Sequence, residues 1–101
     1  MSVSVLVCEY GGAVVSRCVR QNINEFLRNL DSRKEYPMLS YVDLYGDTIF
    51  NSRQVGVVLE ELRSASRSFE GSEMTPMIQE LIELAELVPL RPHRKLIFSG
   101  D

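Results

Sequence analysis

The sequence predicts an α+β fold: a small mixed or antiparallel sheet of three to four strands, with about three helices packed on it. Three observations lead there. β-branched and apolar runs open and close the chain. The long segments between them carry apolar residues at helical spacing. The linkers are short, and no repeat or low-complexity tract interrupts them. The 101 residues suit one α+β domain spanning 1–101.

Residues 3–8 read Val-Ser-Val-Leu-Val-Cys, and the alternation of Val3, Val5 and Val7 predicts a strand. Gly11-Gly12 breaks it. Ala13 to Val15 continue either as the second arm of a hairpin or as a short link, and the sequence leaves both open. Val19, Ile23, Phe26, Leu27 and Leu30 then fall on one stripe, which predicts a helix over 17–30. Its polar side carries Arg17, Arg20 and Arg28. Asp31 to Lys34 form a polar exit, and Pro37 disfavours helix at Tyr36. Met38 to Val42 read as a second strand, and residues 43–48 as a turn-like segment.

Asn51 as N-cap, with Gln54 three residues on, has the form of a capping box. Phe50 and Val55 have the spacing of a hydrophobic staple, and a helix is predicted over 52–67. Gly56 costs that helix up to about 1 kcal/mol relative to alanine. Close packing against a neighbour is the expected reason for it. Gly71-Ser72 mark a break, and Thr75-Pro76 read as a cap residue followed by proline at the first helical position. The apolar face from Met77 to Val88 carries that helix to 88, where Pro89 and Pro92 end it. Lys95 to Phe98 form a last strand, expected beside 38–42 with the helices on one face of the sheet. On the other face Val3, Val5, Val7, Leu39 and Tyr41 would call for solvent or a partner, such as a second copy.

Composition excludes several function classes. Eleven basic against fourteen acidic residues give a net charge of −3. That balance argues against a dedicated nucleic-acid binder, which needs a basic excess to displace counterions. No apolar run approaches the roughly 20 residues that cross a bilayer, so no membrane partner is expected. The N-terminus lacks the basic region and cleavage site of a signal peptide. Cys8 and Cys18, ten apart with no metal-ligand pattern, read as free buried thiols of a cytoplasmic protein rather than a disulfide or a nucleophile. No cofactor and no metal are expected. The 43–51 segment does not have the ligand spacing of an EF-hand, and one histidine with two cysteines falls short of a zinc site.

Tyr41 to Asn51 is the most distinctive stretch. It reads either as a recognition loop that exposes Asp43, Tyr45 and Asp47 to a basic partner, or as a tight turn. In the turn, Gly46 would supply a positive φ, Asp47 or Thr48 would bond nearby backbone N–H groups, and Phe50 would pin the helix. His93, the one histidine, suits acid–base work near neutral pH. No serine, cysteine or carboxylate stands at a spacing that implies a triad, so no catalytic residue is assigned. Asp101 brings its side chain and an α-carboxylate, for which Arg91, Arg94 or an arginine of the first helix would be partners. Residues 69–90 carry five glutamates and no lysine or arginine, among them Glu80 and Glu83 on a solvent-facing helix side. Such a run is either a solvated face or a surface that steers a basic partner.

Two pieces together resemble a known pattern. Gly46-Asp47-Thr48-Ile49-Phe50-Asn51 with Gln54 and Leu59-Glu60-Glu61-Leu62 is one. Pro92-His93-Arg94-Lys95-Leu96-Ile97-Phe98-Ser99-Gly100-Asp101 is the other. They resemble a group of small bacterial proteins with a GDTxFN…Q…LxxEL core and a PHxxLxFxGD ending. The resemblance covers roughly the last 60 residues and brings no activity with it. It implies that Asp47, Asn51, His93 and Asp101 belong to a shared pattern. If that pattern is structural, it implies that Asp47 or Thr48 holds the chain's end by hydrogen bonds. Ser99 departs from it, standing where an aromatic or larger residue is expected.

The resulting expectation is a small cytoplasmic interaction protein, of an immunity or regulatory kind. Asp43, Asp47 and the 80–86 face would pair with basic groups of a protein partner. The alternatives are a small enzyme or ligand-binding domain built around His93, Asp47, Asp101 and Tyr45, or a structural homodimer subunit.

Overall fold

The computed structural model describes residues 3–30 and 35–100. A four-stranded antiparallel sheet, in the order β2-β1-β4-β3, is built from β1 (Ser4–Cys8), β2 (Val14–Val19), β3 (Asp47–Phe50) and β4 (Lys95–Ser99). Three helices accompany it: α1 (Asn22–Arg28), α2 (Ser52–Ser68) and α3 (Thr75–Glu86). This is the predicted α+β class.

The first hairpin resolves the alternative left open at residues 13–15. Glu9 and Ala13 close the turn through a backbone bond of 2.9 Å, and Gly12 takes φ +95, which a glycine adopts without steric cost. β2 then pairs with β1 from Val14 to Val19, with a register shift at Val7/Cys8. The predicted helix over 17–30 is corrected accordingly, since its first part is strand and α1 starts only at Asn22. Val19 matched the helical stripe by spacing alone; it pairs with Ser4 and is 59% exposed. Ile23, Phe26, Leu27 and Leu30 are buried, the stripe the sequence marked.

The predicted strand over 38–42 is also corrected. Leu39–Tyr41 form a 3-10 turn, and the strand lies at Asp47–Phe50. The cause is a buried glutamate. Glu61 of α2 accepts from the backbone N–H groups of Met38 (3.1 Å) and Leu39 (2.9 Å) and curls the segment against the helix. β4 therefore pairs with β1 on one side and β3 on the other, not with 38–42.

Alternation sorts the sheet into two faces. Val5, Val7, Cys18, Thr48, Phe50, Leu96 and Phe98 point inward and are buried. α2 packs over β3 and β4, and α3 over β1 and β2. Phe50 and Phe98 meet edge to face at 5.8 Å. Burying a side chain of that size contributes about 1.5–3 kcal/mol. The outer face carries Leu6, Ile49, Ile97 and Val19 instead of the expected Val3, Val5, Val7, Leu39 and Tyr41. The three valines are fully buried, and Leu39 and Tyr41 lie outside the sheet.

α2 starts on the predicted capping box. The Asn51 side chain accepts from the Gln54 N–H at 3.0 Å, and the Gln54 side chain accepts from the Asn51 N–H at 2.9 Å. Phe50 and Val55 are both buried. Gly56 faces open space, so close packing is not what it serves. At the start of α3, Met74 is the N-cap and Thr75 the first helical residue. The Thr75 hydroxyl donates to the Phe69 carbonyl at 3.0 Å instead of capping the helix. α3 ends at Glu86, and Pro89 sits in a 3-10 turn at Val88–Leu90. Asp31 to Lys34 and Asp101 lie outside the described residues, and with them the expected polar exit and the pairing of the terminal carboxylates.

Candidate functional site

The sequence-marked residues fall at three places: the free edge of β3, the free edge of β2, and the turn before β4. At the β3 edge most polar groups are engaged by the chain itself. The Asp43 N–H donates to Thr48 Oγ1 at 2.9 Å, and Asp43 Oδ1 accepts from the Tyr45 N–H at 2.8 Å. Asp47 Oδ1 accepts from the Ser99 hydroxyl at 2.9 Å. The Gly100 N–H donates to the Gly46 carbonyl at 2.7 Å, which ties the last described residue to this loop. Both glycines allow a close approach. A Cβ on Gly100 would run into the Leu44 carbonyl, and one on Gly46 would stand 2.9 Å from Asp43 Oδ2. Gly46 does not take the positive φ expected of it, since only Gly12 and Gly71 do so among the described glycines.

What the loop leaves to solvent is equally defined. Tyr41 is 77% exposed, Tyr45 65% and Ile49 53%. Tyr41, Asp43, Asp47, Thr48 and Ile49 line an open cavity of about 440 Å³. No cation among the described residues forms an ion pair with Asp43 or Asp47. Both carboxylates therefore keep charge directed outward beside two exposed aromatic rings.

At the opposite edge of the sheet, Glu80 of α3 bridges Arg20 at 2.9 Å and accepts from the Cys18 thiol at 2.7 Å. Burial, then the Glu80 carboxylate, pushes the Cys18 thiol up to about 12, so it stays protonated and is no nucleophile near neutral pH. Hydrogen bonds from Arg20 and then Cys18 hold the Glu80 carboxyl below the usual carboxylate range. Glu83 is exposed beside it, and both line a groove of about 350 Å³ with Ser16, Arg17, Leu84 and Leu87. Cys8 and Cys18 are both free and buried.

His93 sits in the turn before β4 with φ 63, the left-handed region, and its ring meets Tyr10 edge to face at 5.6 Å. Arg94, next to it, is 9% exposed. It donates to Glu9 at 3.0 Å and to the Leu87 carbonyl at 2.6 Å, which fastens the β1–β2 turn to the end of α3. A shallow cavity of about 200 Å³ lies between Tyr10, Asn51, Ser52, His93, Arg94 and Lys95.

The structure thus brings together Asp43, Tyr45, Asp47 and Thr48. It sets Glu80 and Glu83 at the other sheet edge. His93 stands before the first residue of β4 and Asp47 pairs with its last, Ser99, so the length of β4, about 14 Å at strand rise, separates them. Asn51, at the head of α2, borders the His93 cavity and not the Asp47 one. Among the described residues no group of three or more His, Cys, Asp or Glu is placed to hold a metal. Among them, too, no helix is long and apolar enough to cross a membrane.

Sequence reasoning missed the burial of Glu61 and Arg94, the two charged side chains that are buried among the described residues. Glu61 carried a usable signal: it stands three residues after Val58 and four before Ala65, on the buried stripe of α2. A glutamate in a helical core position is expected to have a partner. Arg94 carried no comparable signal, because Glu9 is 85 residues away. No family model, curated protein or solved structure matches the chain.

Proposed function

We propose that this chain is a small cytoplasmic interaction protein, of an immunity or regulatory kind, that binds a basic protein partner through the loop before β3. The observation that carries the reading is the pairing of two exposed tyrosines, Tyr41 and Tyr45, with two exposed carboxylates, Asp43 and Asp47, that form no ion pair among the described residues. Tyrosine is enriched where interfaces concentrate their binding energy, because a rigid ring buries much area at low entropic cost. Carboxylates beside such rings take a guanidinium or ammonium group and speed encounter with a basic surface. The bonds from the Asp43 N–H to the Thr48 hydroxyl and from the Gly100 N–H to the Gly46 carbonyl hold the loop in place, so little ordering cost remains on binding. Glu80 and Glu83, at the far edge, enter only through the long-range field. The free, buried thiols support work in a reducing compartment. The net charge of −3 supports a protein rather than a nucleic-acid partner.

The test is affinity capture from a bacterial lysate, followed by calorimetry with the purified partner. A stoichiometric basic protein is expected. Asp43→Ala with Tyr45→Ala should weaken it at least tenfold, and Glu83→Ala should leave affinity within about twofold. Unchanged affinity in Asp43→Ala, Tyr45→Ala and Asp47→Ala alike would overturn the reading.

A further inference from the structure

We propose that the outer face of the sheet packs on the same face of a second copy of this chain. α2 and α3 fill the inner face, and no described element lies over the outer one. Its middle row, read from β3 to β2, is Ile49, Ile97, Leu6 and Arg17. The next row starts with Asp47 and ends with Val19. Val19 is 59% exposed and Ile49 53%, while Leu6 and Ile97 are half-buried. An aliphatic centre is therefore open to water, with Arg17 at the β2 margin, Asp47 at the β3 margin and the exposed Lys95 of β4 in the third row, where it would face Cys8 of the partner subunit.

That distribution is complementary to itself. A two-fold axis midway between the two sheets, parallel to the strands, lays β2 on β3 of the partner subunit and β1 on β4 of the partner subunit. Leu6 then meets Ile97 of the partner subunit, about 10 Å from sheet to sheet. Arg17 comes down beside Ile49 of the partner subunit, one row from Asp47 of the partner subunit. A row is about 7 Å along the strand, within reach of an arginine side chain. The symmetry makes this ion pair twice. An in-plane axis across the strands would set Arg17 against its own copy, which like charge disfavours. The Asp47 carboxylate has one oxygen on Ser99 and the other without a partner among the described residues. Four strands and three rows offer on the order of 400 Å² per copy, about half a standard interface. The dimer is accordingly reversible. It shares Asp47 with the partner-binding loop but does not use Tyr41, Asp43 or Tyr45, which precede β3.

The test is sedimentation equilibrium on the full chain, from micromolar to millimolar concentration. The mass should rise from 11.5 kDa toward twice that value. Arg17→Asp and Asp47→Arg should each weaken association at least tenfold, and an equimolar mixture of the two should restore it. Ile49→Lys should also weaken it, with its unfolding curve confirming that the exposed site leaves the fold intact. A mass fixed at 11.5 kDa throughout would overturn the proposal. So would a wild-type dimer whose swapped variants fail to rescue each other. If the mass stays monomeric while Asp43→Ala still weakens capture of a basic protein, the second-copy proposal fails and the interaction reading stands.

Discussion

The two free edges of the sheet use the same residue types in different ways. At β3, carboxylate, hydroxyl and amide groups are engaged by backbone and by each other. Thr48 holds the Asp43 N–H, Asp47 holds Ser99, and Gly46 holds Gly100. Behind them the buried Glu61 carboxylate holds two more N–H groups. At β2, by contrast, Glu80 and Arg20 meet in solvent, each side chain 43% exposed. The difference is one of dielectric and alternatives. A buried N–H that loses its acceptor has no water to turn to, whereas an exposed pair that breaks is rehydrated at little cost. The β3 edge is therefore positioned by its polar residues, and the β2 edge by the apolar side chains beneath it.

Substitutions can break that contrast. The largest effect is expected from Glu61→Ala, which leaves the Met38 and Leu39 N–H groups unsatisfied and should cost about 2–4 kcal/mol in urea unfolding. Glu80→Ala, the same change at the opposite edge, should stay within the scatter of that measurement. Comparable losses from the two would remove the distinction. Next in size is Asn51→Ala, which takes away one arm of the capping box and should cost about 1 kcal/mol. It is read by the same unfolding experiment.

At neutral pH the β2 edge has the smallest effects, and its contribution shows in the pH dependence. The folded state holds the Cys18 proton up to about 12, against an ordinary 9.0 for an unfolded thiol. The unfolded chain thus loses that proton first, and stability contributed by Cys18 is lost as pH rises from 9 toward 12. Cys18→Ala should flatten the unfolding free energy over that range. Glu80 has the opposite sign. Its folded carboxyl is held low, so its contribution is present at neutral pH and fades as pH falls through the carboxylate range. An unchanged alkaline slope in Cys18→Ala would show that the thiol is not held as the geometry implies.

Much of this was legible before the structure. The capping box, the stripe of α2 from Val55 to Leu62, and the strands read at 3–8 and 95–98, observed at Ser4–Cys8 and Lys95–Ser99, follow from local rules of spacing and propensity. Where reading failed, a long-range partner had overridden the local pattern. Residues 17–19 have helical spacing with Ile23, yet pairing with Ser4 to Leu6 makes them strand. Met38 to Val42 have strand composition, yet Glu61, more than twenty residues on, folds them into a 3-10 turn. At the candidate site, the sequence marked Asp43, Tyr45, Asp47 and Thr48 as one segment. It also joined to them Glu80, Glu83 and His93, which the sheet distributes to its other edge and its other end.

The sequence by itself determined the class of fold, the helices α2 and α3, and the acidic, free-thiol character of the chain. These depend on neighbours within one or two turns, or on composition alone. The strand order β2-β1-β4-β3, the burial of Glu61 and Arg94, and the tie between Gly46 and Gly100 were decided only in three dimensions. Each depends on a partner more than twenty residues away, and a local pattern holds no record of which distant group will satisfy it.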